Sequence, residues 1–232
     1  MRRAETLASD AEHRVPSWLR PGDPESRLPV LTALVVAIGL QLAIPKSYAV
    51  VPRWPLIAME ILLLVVLVGL NPLRLKRRTV FGTWASYLLL GAITVDNVLS
   101  ALVLDIRILS GEVSNNAAFL LGSGAAIYVT TVIVFGIWYW ELDRGGPFAR
   151  RQGSRPYPDF MFPQMTEREL APPNWRPEFF DYLYVSITNV VAFSPTDTMP
   201  LTRRAKGMMT VQAVISITTL ALVISRAVNV LG

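Results

Sequence analysis

The stretch PEFFDYLYVSITNVVAF, residues 177–193, decides how many times this chain crosses a membrane. Pro177 suits the first position of a helix, and Glu178 suits the positive end of the helix dipole. Phe179 and Leu183 are four residues apart and share one helix face. A full crossing needs about 20 mostly apolar residues, and this stretch is shorter and more polar. The pattern therefore predicts a short helix that dips into the bilayer and returns, or one that lies in the interface.

Five longer apolar runs surround this short helix, four before it and one after it. The chain has 232 residues, of which 52% are hydrophobic and 17% charged, whereas soluble domains carry about a quarter charged residues. The runs cover residues 28–45, 54–71, 80–104, 117–140 and 207–231. The sequence therefore predicts an all-α integral membrane protein with five transmembrane helices plus one short re-entrant or interfacial helix.

These runs divide the chain into four parts. Residues 1–27 form a polar N-terminal tail that lacks the apolar core and cleavage site of a signal peptide. Residues 28–142 form a four-helix transmembrane region, and residues 143–176 form a loop rich in proline, glycine and charge. Residues 177–232 combine the short helix, a polar turn and the last apolar run.

Basic residues mark the two sides of the predicted membrane. The formal net charge is +5, and most of the 22 lysines and arginines lie in the tail, at 74–78, at 143–176 and at 203–206. Because cytoplasmic connections carry the excess of Lys and Arg, this pattern predicts a cytoplasmic N-terminus, a cytoplasmic 143–176 loop and an outer C-terminus. The basic residues flank apolar runs, so we expect the lipid bilayer, and not nucleic acid, as the partner.

Residue types that most enzymes and metal sites need are scarce. The chain has no cysteine, and its single histidine, His13, lies in the polar tail. We therefore predict no catalytic residues, no metal site, no cofactor and no enzymatic activity. Glu141, Asp143 and Asp159 carry oxygen ligands for a divalent cation, but they lack a fixed ligand spacing, and an interfacial helix stop is the simpler interpretation.

The stretch AFSPTDTMPLT, residues 192–202, follows the short helix and precedes the last apolar run. The order of short helix, polar turn, Pro-x-Thr and spanning helix resembles the pore module of potassium channels. The resemblance implies a filter-like loop that Asp197 closes. The other filter-like positions are Ala192, Phe193, Ser194, Pro195 and Thr196.

A potassium filter points successive backbone carbonyls at the ion and uses glycines, which adopt positive φ without steric cost. This chain has no glycine between Pro177 and Lys206, and Pro195 fixes its own φ. We therefore expect a degenerate pore loop without the usual potassium filter. The resemblance implies a homo-oligomer, a tetramer if the analogy holds, and a monovalent cation that contacts Asp197 and nearby hydroxyls.

The same stretch also has an interpretation that involves no transport. Ser194 and Pro195 start a turn, and Asp197 or Thr202 accepts hydrogen bonds from N–H groups at the start of the last helix. The side of the membrane separates the two interpretations. Channel filters face outward, whereas the charge pattern places this loop in the cytoplasm.

The segments WYWELDRGGP, residues 138–147, and AFSPTDTMPLT also look like those of an uncharacterised group of small bacterial membrane proteins. This second resemblance covers most of the chain. It implies a multi-pass protein of the bacterial inner membrane and brings no established activity.

Ionisable residues inside apolar runs are functional candidates because their burial in a membrane is costly. Glu60 lies in the second run, and Asp96 lies midway along the third, beside Asn97 and four residues before Ser100. Such carboxylates suit a proton or cation relay inside the bundle. The alternatives are that Glu60 is solvated at the interface and that Asp96 hydrogen-bonds to a neighbouring helix.

Gln212, Ser216 and Thr219 form a polar stripe on the last apolar run, since spacings of four and three residues keep them on one helix face. In a pore module this stripe would face the conduction path. In an ordinary bundle it would join helices through hydrogen bonds worth about 0.6–2 kcal/mol each.

Together these features predict a channel-like or transport-related protein that conducts ions as a homo-oligomer through the degenerate pore loop. The alternative is a non-conducting membrane scaffold or accessory subunit that binds a partner through residues 143–176. Ion flux in liposomes separates the two, because a scaffold moves no ions.

Overall fold

The computed structural model of the chain describes residues 16–48, 52–70, 79–113, 116–167, 169, 171–191 and 197–231. Within these ranges the chain is helical apart from its connections and one short antiparallel strand pair. In chain order the elements are α1 (Leu28–Ala43), α2 (Arg53–Leu70), α3 (Val80–Ser110), α4 (Ala117–Leu142), α5 (Pro147–Gln152), β1 (Phe160–Met161), α6 (Pro163–Thr166), α7 (Phe179–Val191), β2 (Met199–Pro200) and α8 (Arg203–Leu231).

Helix α4 lies at the centre of the bundle and contacts α1, α3, α7 and α8. Residues 130–137 are all buried, so this part of α4 has no outward face. Two glycines let the neighbours approach closely. A Cβ atom added to Gly136 would lie 3.1 Å from the Cα atom of Leu183 in α7, and one added to Gly124 would lie 2.8 Å from Val223 in α8.

Side chains before three long helices cap the helix starts. Thr79 accepts from the N–H of Gly82 in α3, and Asn116 accepts from Phe119 in α4. Thr202 accepts from the N–H of Ala205 in α8, as the interpretation without transport predicts for that residue.

Most connections meet at one end of the bundle, here called the loop end. Arg27, before α1, donates from Nη1 to the carbonyl of Leu67 near the end of α2, at 2.7 Å. Thr202, before α8, donates to Asp159, whose backbone N–H donates to Asp143 at the end of α4. The opposite end, here called the far end, carries the α1–α2 and α3–α4 connections. The helices α1, α2, α3, α4 and α8 therefore alternate in direction along the chain.

Three helices are long and apolar enough to cross a membrane, namely α3, α4 and α8. Helices α1 and α2 are apolar but shorter. Large apolar side chains also point outward on α3, including Leu88, Val95, Leu102 and Ile106, while polar side chains are buried inside. These features indicate a membrane protein, and the predicted count of five crossings stays a prediction.

Helix α7 is short, with 13 residues that extend about 20 Å, against a hydrocarbon layer of about 30 Å. Its polar residues Ser186 and Asn189 are buried, and its exposed residues form an apolar stripe. This α7 stripe consists of Phe180, Tyr184, Ile187 and Val191. The helix starts beside Asp143, and β2, which follows it in the chain, pairs with β1 at the loop end. The chain therefore leaves the loop end through α7 and is back there by residue 199.

Residues 143–176, which the sequence presents as a polar loop, contribute to the core. Phe160, Phe162 and Met165 are buried there. The ring of Phe162 packs edge-on against Tyr182 of α7 at 5.3 Å between centroids, and Phe160 packs against Tyr139 of α4 at 5.0 Å. This segment therefore holds α7 against α4.

Cysteine labelling tests the two-ended arrangement directly, because the chain has no native cysteine. Tyr157 is exposed at the loop end, and Glu112 is exposed at the far end. In intact cells, a membrane-impermeant maleimide should label Glu112→Cys and leave Tyr157→Cys unlabelled until the cells are opened, since the basic residues gather at the loop end. Labelling of both variants in intact cells would contradict the arrangement.

Candidate functional site: a buried polar seam

Polar side chains near the loop end form a closed hydrogen-bond network between α4, α7 and α8. Tyr139 donates to Gln212 Oε1 at 2.5 Å, and Asn189 donates to the same oxygen at 2.9 Å. Gln212 Nε2 donates to Ser186 Oγ at 2.7 Å, and that hydroxyl donates to the carbonyl of Val132. Every member has its partner within the protein, so this network fixes three helices together and offers no group to a ligand.

Buried polar groups toward the middle and the far end differ, because several lack partners. Glu60 of α2 is fully buried, and Gln41 Nε2 of α1 donates to its Oε1 at 3.4 Å. Glu60 Oε2 has no hydrogen-bond partner among the described residues. Asp96 of α3 is buried near enough for its charge to act on Glu60. The two acids predicted from the sequence therefore both lie inside the bundle, and Glu60 is buried and not exposed at the interface.

Further buried polar groups without a partner lie on α3, α4 and α8. Asn97 Nδ2 donates to Thr131 at 2.7 Å, but its Oδ1 has no partner in the described part of the chain. Thr219 donates to Asp105 Oδ2 at 3.1 Å, while Asp105 Oδ1 is left without a partner there. We call the whole set the polar seam; it consists of Gln41, Glu60, Asp96, Asn97, Ser100, Asp105, Thr130, Thr131, Ser216 and Thr219.

Three hydroxyls of the polar seam are unusual for helical Ser and Thr. Buried Thr131 and Ser123 donate to the carbonyl four residues earlier, the common arrangement inside helices. The Oγ atoms of Ser100, Thr130 and Ser216 have no such bond and no other partner among the described residues. These hydroxyls are therefore free to donate to, or accept from, a polar species in the seam.

Helix register places these groups at one level of the bundle. The Asn97–Thr131 and Asp105–Thr219 contacts align α3 with α4 and with α8. Ser100 lies one turn beyond Asn97, Thr130 is next to Thr131, and Ser216 lies one turn before Thr219. Ser100, Thr130 and Ser216 therefore lie within about one helix turn of one another along the bundle axis, on three helices that pack together.

The energetic cost of these groups points to an occupant. A buried polar atom without a hydrogen bond costs about 1–3 kcal/mol, and a charged atom costs more. Glu60, Asn97, Ser100, Asp105, Thr130 and Ser216 each have one such atom within the described ranges. Native proteins keep few such atoms, so a cluster of six suits a site that takes up water or an ion.

An ionic cluster at the loop end gives no signal in the sequence. Arg150 of α5 forms a bidentate pair with Glu25, at 3.0 Å for both contacts, and donates to the carbonyls of Trp140 and Asp143. Asp143 accepts from Tyr182 and from the backbone N–H groups of Asp159 and Phe160. These donors occupy the Asp143 carboxylate, and the described residues contain no group of three metal-binding side chains.

The filter-like residues Ala192, Phe193, Ser194, Pro195 and Thr196 lie outside the described residues. Asp197 is exposed at the loop end, in a shallow pocket with Phe162, Asp181 and Tyr184. Burial raises the pKa of Asp181, an effect that the N–H of Glu178 partly offsets. The interpretation of this loop as a pore element therefore stays a prediction.

The predicted polar stripe on α8 contributes to both sites. Gln212 belongs to the closed network, and Ser216 and Thr219 belong to the polar seam. The six other members of the seam were not predicted as site residues; they are Gln41, Asn97, Ser100, Asp105, Thr130 and Thr131. Comparison of the chain with protein-family models, with curated proteins and with solved structures finds no match.

Two substitutions on the same face of α8 separate the closed network from the seam. Gln212→Leu removes the partner of Tyr139, Asn189 and Ser186, and we expect it to lower the free energy of unfolding by about 2–4 kcal/mol. Ser216→Ala removes a buried hydroxyl that has no partner in the described chain, and it should leave the free energy of unfolding unchanged or raise it. Unfolding in detergent measures both, and equal losses would contradict the distinction.

Proposed function

We propose that the protein transports a monovalent cation, H⁺ included, along the polar seam. The observation that carries this proposal is the set of buried oxygens without hydrogen-bond partners in the polar seam, among the described residues. Glu60 and Asp105 add negative charge, and neither forms an ion pair within the described ranges. Divalent ions need several carboxylates around one point, whereas these acids are spaced along the seam, which favours a single positive charge.

The same proposal includes the membrane arrangement. Helices α1, α2, α3, α4 and α8 each cross the inner membrane of a bacterium, with the loop end in the cytoplasm. Helix α7 enters from the loop end and returns to it, with its apolar stripe toward lipid. The alternating helix directions and the basic loop end support this arrangement.

A route inside one chain differs from the pore-loop route in what it requires. The pore loop encloses a path only around an axis shared by several copies, a tetramer in the channel analogy. The polar seam is enclosed by the helices of a single chain, so it works in a monomer as well as in a homo-oligomer. Ion flux through protein that is present only as a monomer would therefore favour the seam over the pore loop.

Purified protein in liposomes tests the function. With a pH gradient or a Na⁺ or K⁺ gradient across the vesicle wall, we expect flux of one of these ions well above that of empty vesicles. A flux equal to that of empty vesicles for all three would end the transport proposal. It would favour the scaffold alternative, which pull-down with residues 143–176 replaced by a Gly/Ser linker then tests.

A further inference from the structure

A broad polar cleft opens at the loop end, apart from the polar seam. Its walls come from the N-terminal segment, residues 16–27, and from residues 172–181. The cleft has a volume of about 1020 Å³, and Arg144, Arg150, Arg151 and Arg176 all line it. Its size and arginine content suit an anionic group, but arginines that are already paired contribute little.

Arg144 is the arginine of the cleft that has a buried donor without a partner among the described residues. The relative exposure of Arg144 is only 1%. Within the described ranges its side chain forms no ion pair. Nε donates to the carbonyl of Arg155 at 2.7 Å, and Nη1 donates to the carbonyl of Trp18. Nη2 has no partner there. A buried guanidinium with an unused donor is therefore available to an anion.

Trp18 supplies a second unused donor at the same place. Its ring stacks on the Arg144 guanidinium, 5.3 Å from the ring centroid, and its Nε1–H has no partner among the described residues. Both residues line the cleft, and Trp18 is only half-buried, so its ring can shift to admit an oxygen. Two unused N–H donors beside one positive charge suit a phosphate group.

Acidic residues also line the cleft, but two of the four are occupied. Glu25 is held by Arg150 and by Trp140 Nε1, and Asp181 accepts from the N–H of Glu178. Asp23 and Glu178 also line the cleft, together with Arg144, Arg151 and Arg176. The four arginines and four acids of the lining balance in formal charge, so the case for an anion rests on the unused donors of Arg144 and Trp18.

An apolar surface leads directly away from this cleft. Phe180 lines the cleft and is also the first residue of the α7 stripe, where it is 64% exposed. Tyr184, Ile187 and Val191 continue the stripe toward the middle of the bundle. A ligand with a phosphate in the cleft and a hydrocarbon chain along the stripe would satisfy both surfaces.

We propose that Arg144 and Trp18 bind the phosphate of an anionic membrane phospholipid, whose acyl chains lie along the α7 stripe. The site rests on the membrane location of the protein and not on its transport activity. Phosphatidylglycerol is the suitable probe, because its single headgroup charge is negative while phosphatidylcholine is neutral overall.

Native mass spectrometry of the full chain, released from detergent with equal amounts of the two lipids, tests this site. We expect the protein to retain one phosphatidylglycerol, preferred about tenfold, and Trp18→Phe to reduce that preference about tenfold by removing one donor. Phe180→Ser should reduce the retention of both lipids. The matched controls are Trp84→Phe and Phe81→Ser on the outward face of α3, which should retain lipid as the unmodified protein does.

Three results would overturn the proposal. They are equal retention of both lipids, equal effects of the Trp18→Phe and Trp84→Phe variants, and release of the bound lipid by millimolar inorganic phosphate alone. The last result would assign the cleft to a soluble phosphate compound. Because ion flux is not the readout, failure here leaves the transport proposal standing, and absent flux leaves the lipid site standing.

Discussion

Glu60→Gln is expected to reduce cation flux in liposomes by about a hundredfold, the lower range for groups that carry a proton in a reaction. The substitution keeps the size and the acceptor oxygen that Gln41 contacts, at 3.4 Å in the native protein. It removes the negative charge, which would otherwise attract the cation into a fully buried position. The liposome experiment with the unmodified protein first identifies the transported ion. The flux of that ion is then compared between the variant and the unmodified protein at equal amounts of protein per liposome.

Stability separates this effect from damage to the fold. Burying a carboxylate without an ion pair costs several kcal/mol, so removing the charge should leave the free energy of unfolding unchanged or raise it. Glu112→Gln serves as the matched control, because Glu112 is exposed at the far end, and its flux should equal that of the unmodified protein. A Glu60→Gln protein that is more stable and transports at the native rate would exclude Glu60 from the path.

The sequence identified polar residues in apolar runs but not which of them would find partners. Gln212 and Ser216 are four residues apart on one helix face, and nothing local distinguishes them. The docking of α7 gives Gln212 its partners Asn189 and Ser186, whereas no such partner reaches Ser216 in the described chain. Partner choice depends on tertiary packing, which a helical period does not encode.

Asp105 was missed for a different reason. The third apolar run was predicted to end at about residue 104, one residue before Asp105. The helix continues to Ser110 and ends where Gly111 adopts φ of 76°. The prediction of this boundary was wrong because a polar residue inside a bundle does not stop a helix, whereas a glycine in the left-handed region does. Gly111 was the sequence signal from which the longer helix, ending at Ser110, could have been predicted.

The cluster around Arg150 was beyond local reasoning altogether. Glu25 and Arg150 are 125 residues apart in the chain, and both lie in segments that look like polar connections. No periodicity or spacing links them. Only the folded arrangement, in which the segment before α1 crosses the end of α4, brings the two charges together.

Arg150→Met is expected to lower the free energy of unfolding by about 3–5 kcal/mol, the largest stability loss predicted for this protein. The Arg150 side chain is 4% exposed, and its guanidinium donates to Glu25 and to the carbonyls of Trp140 and Asp143. Burial is the largest single influence and lowers the pKa of Arg150, but the charge and hydrogen bond of Glu25, together with Tyr182 and Asp143, outweigh it and raise the pKa, so this guanidinium stays charged. Its removal leaves the Glu25 carboxylate and two carbonyls without their donor.

A second substitution should reverse part of the loss. Glu25→Gln removes the charge that Arg150→Met leaves unpaired, so the double variant should be more stable than the sum of the two single losses predicts, by about 1.5 kcal/mol or more. Arg204→Met, at an exposed position of the same end, is the control and should change stability by less than about 0.5 kcal/mol. Chemical unfolding in detergent micelles measures the unmodified protein and all four variants. Additive losses would mean that the two charges do not stabilise each other. The junction between the N-terminal segment and α4 would then depend on the carbonyl contacts of Arg150 and on its stacking against Trp140 and Tyr182.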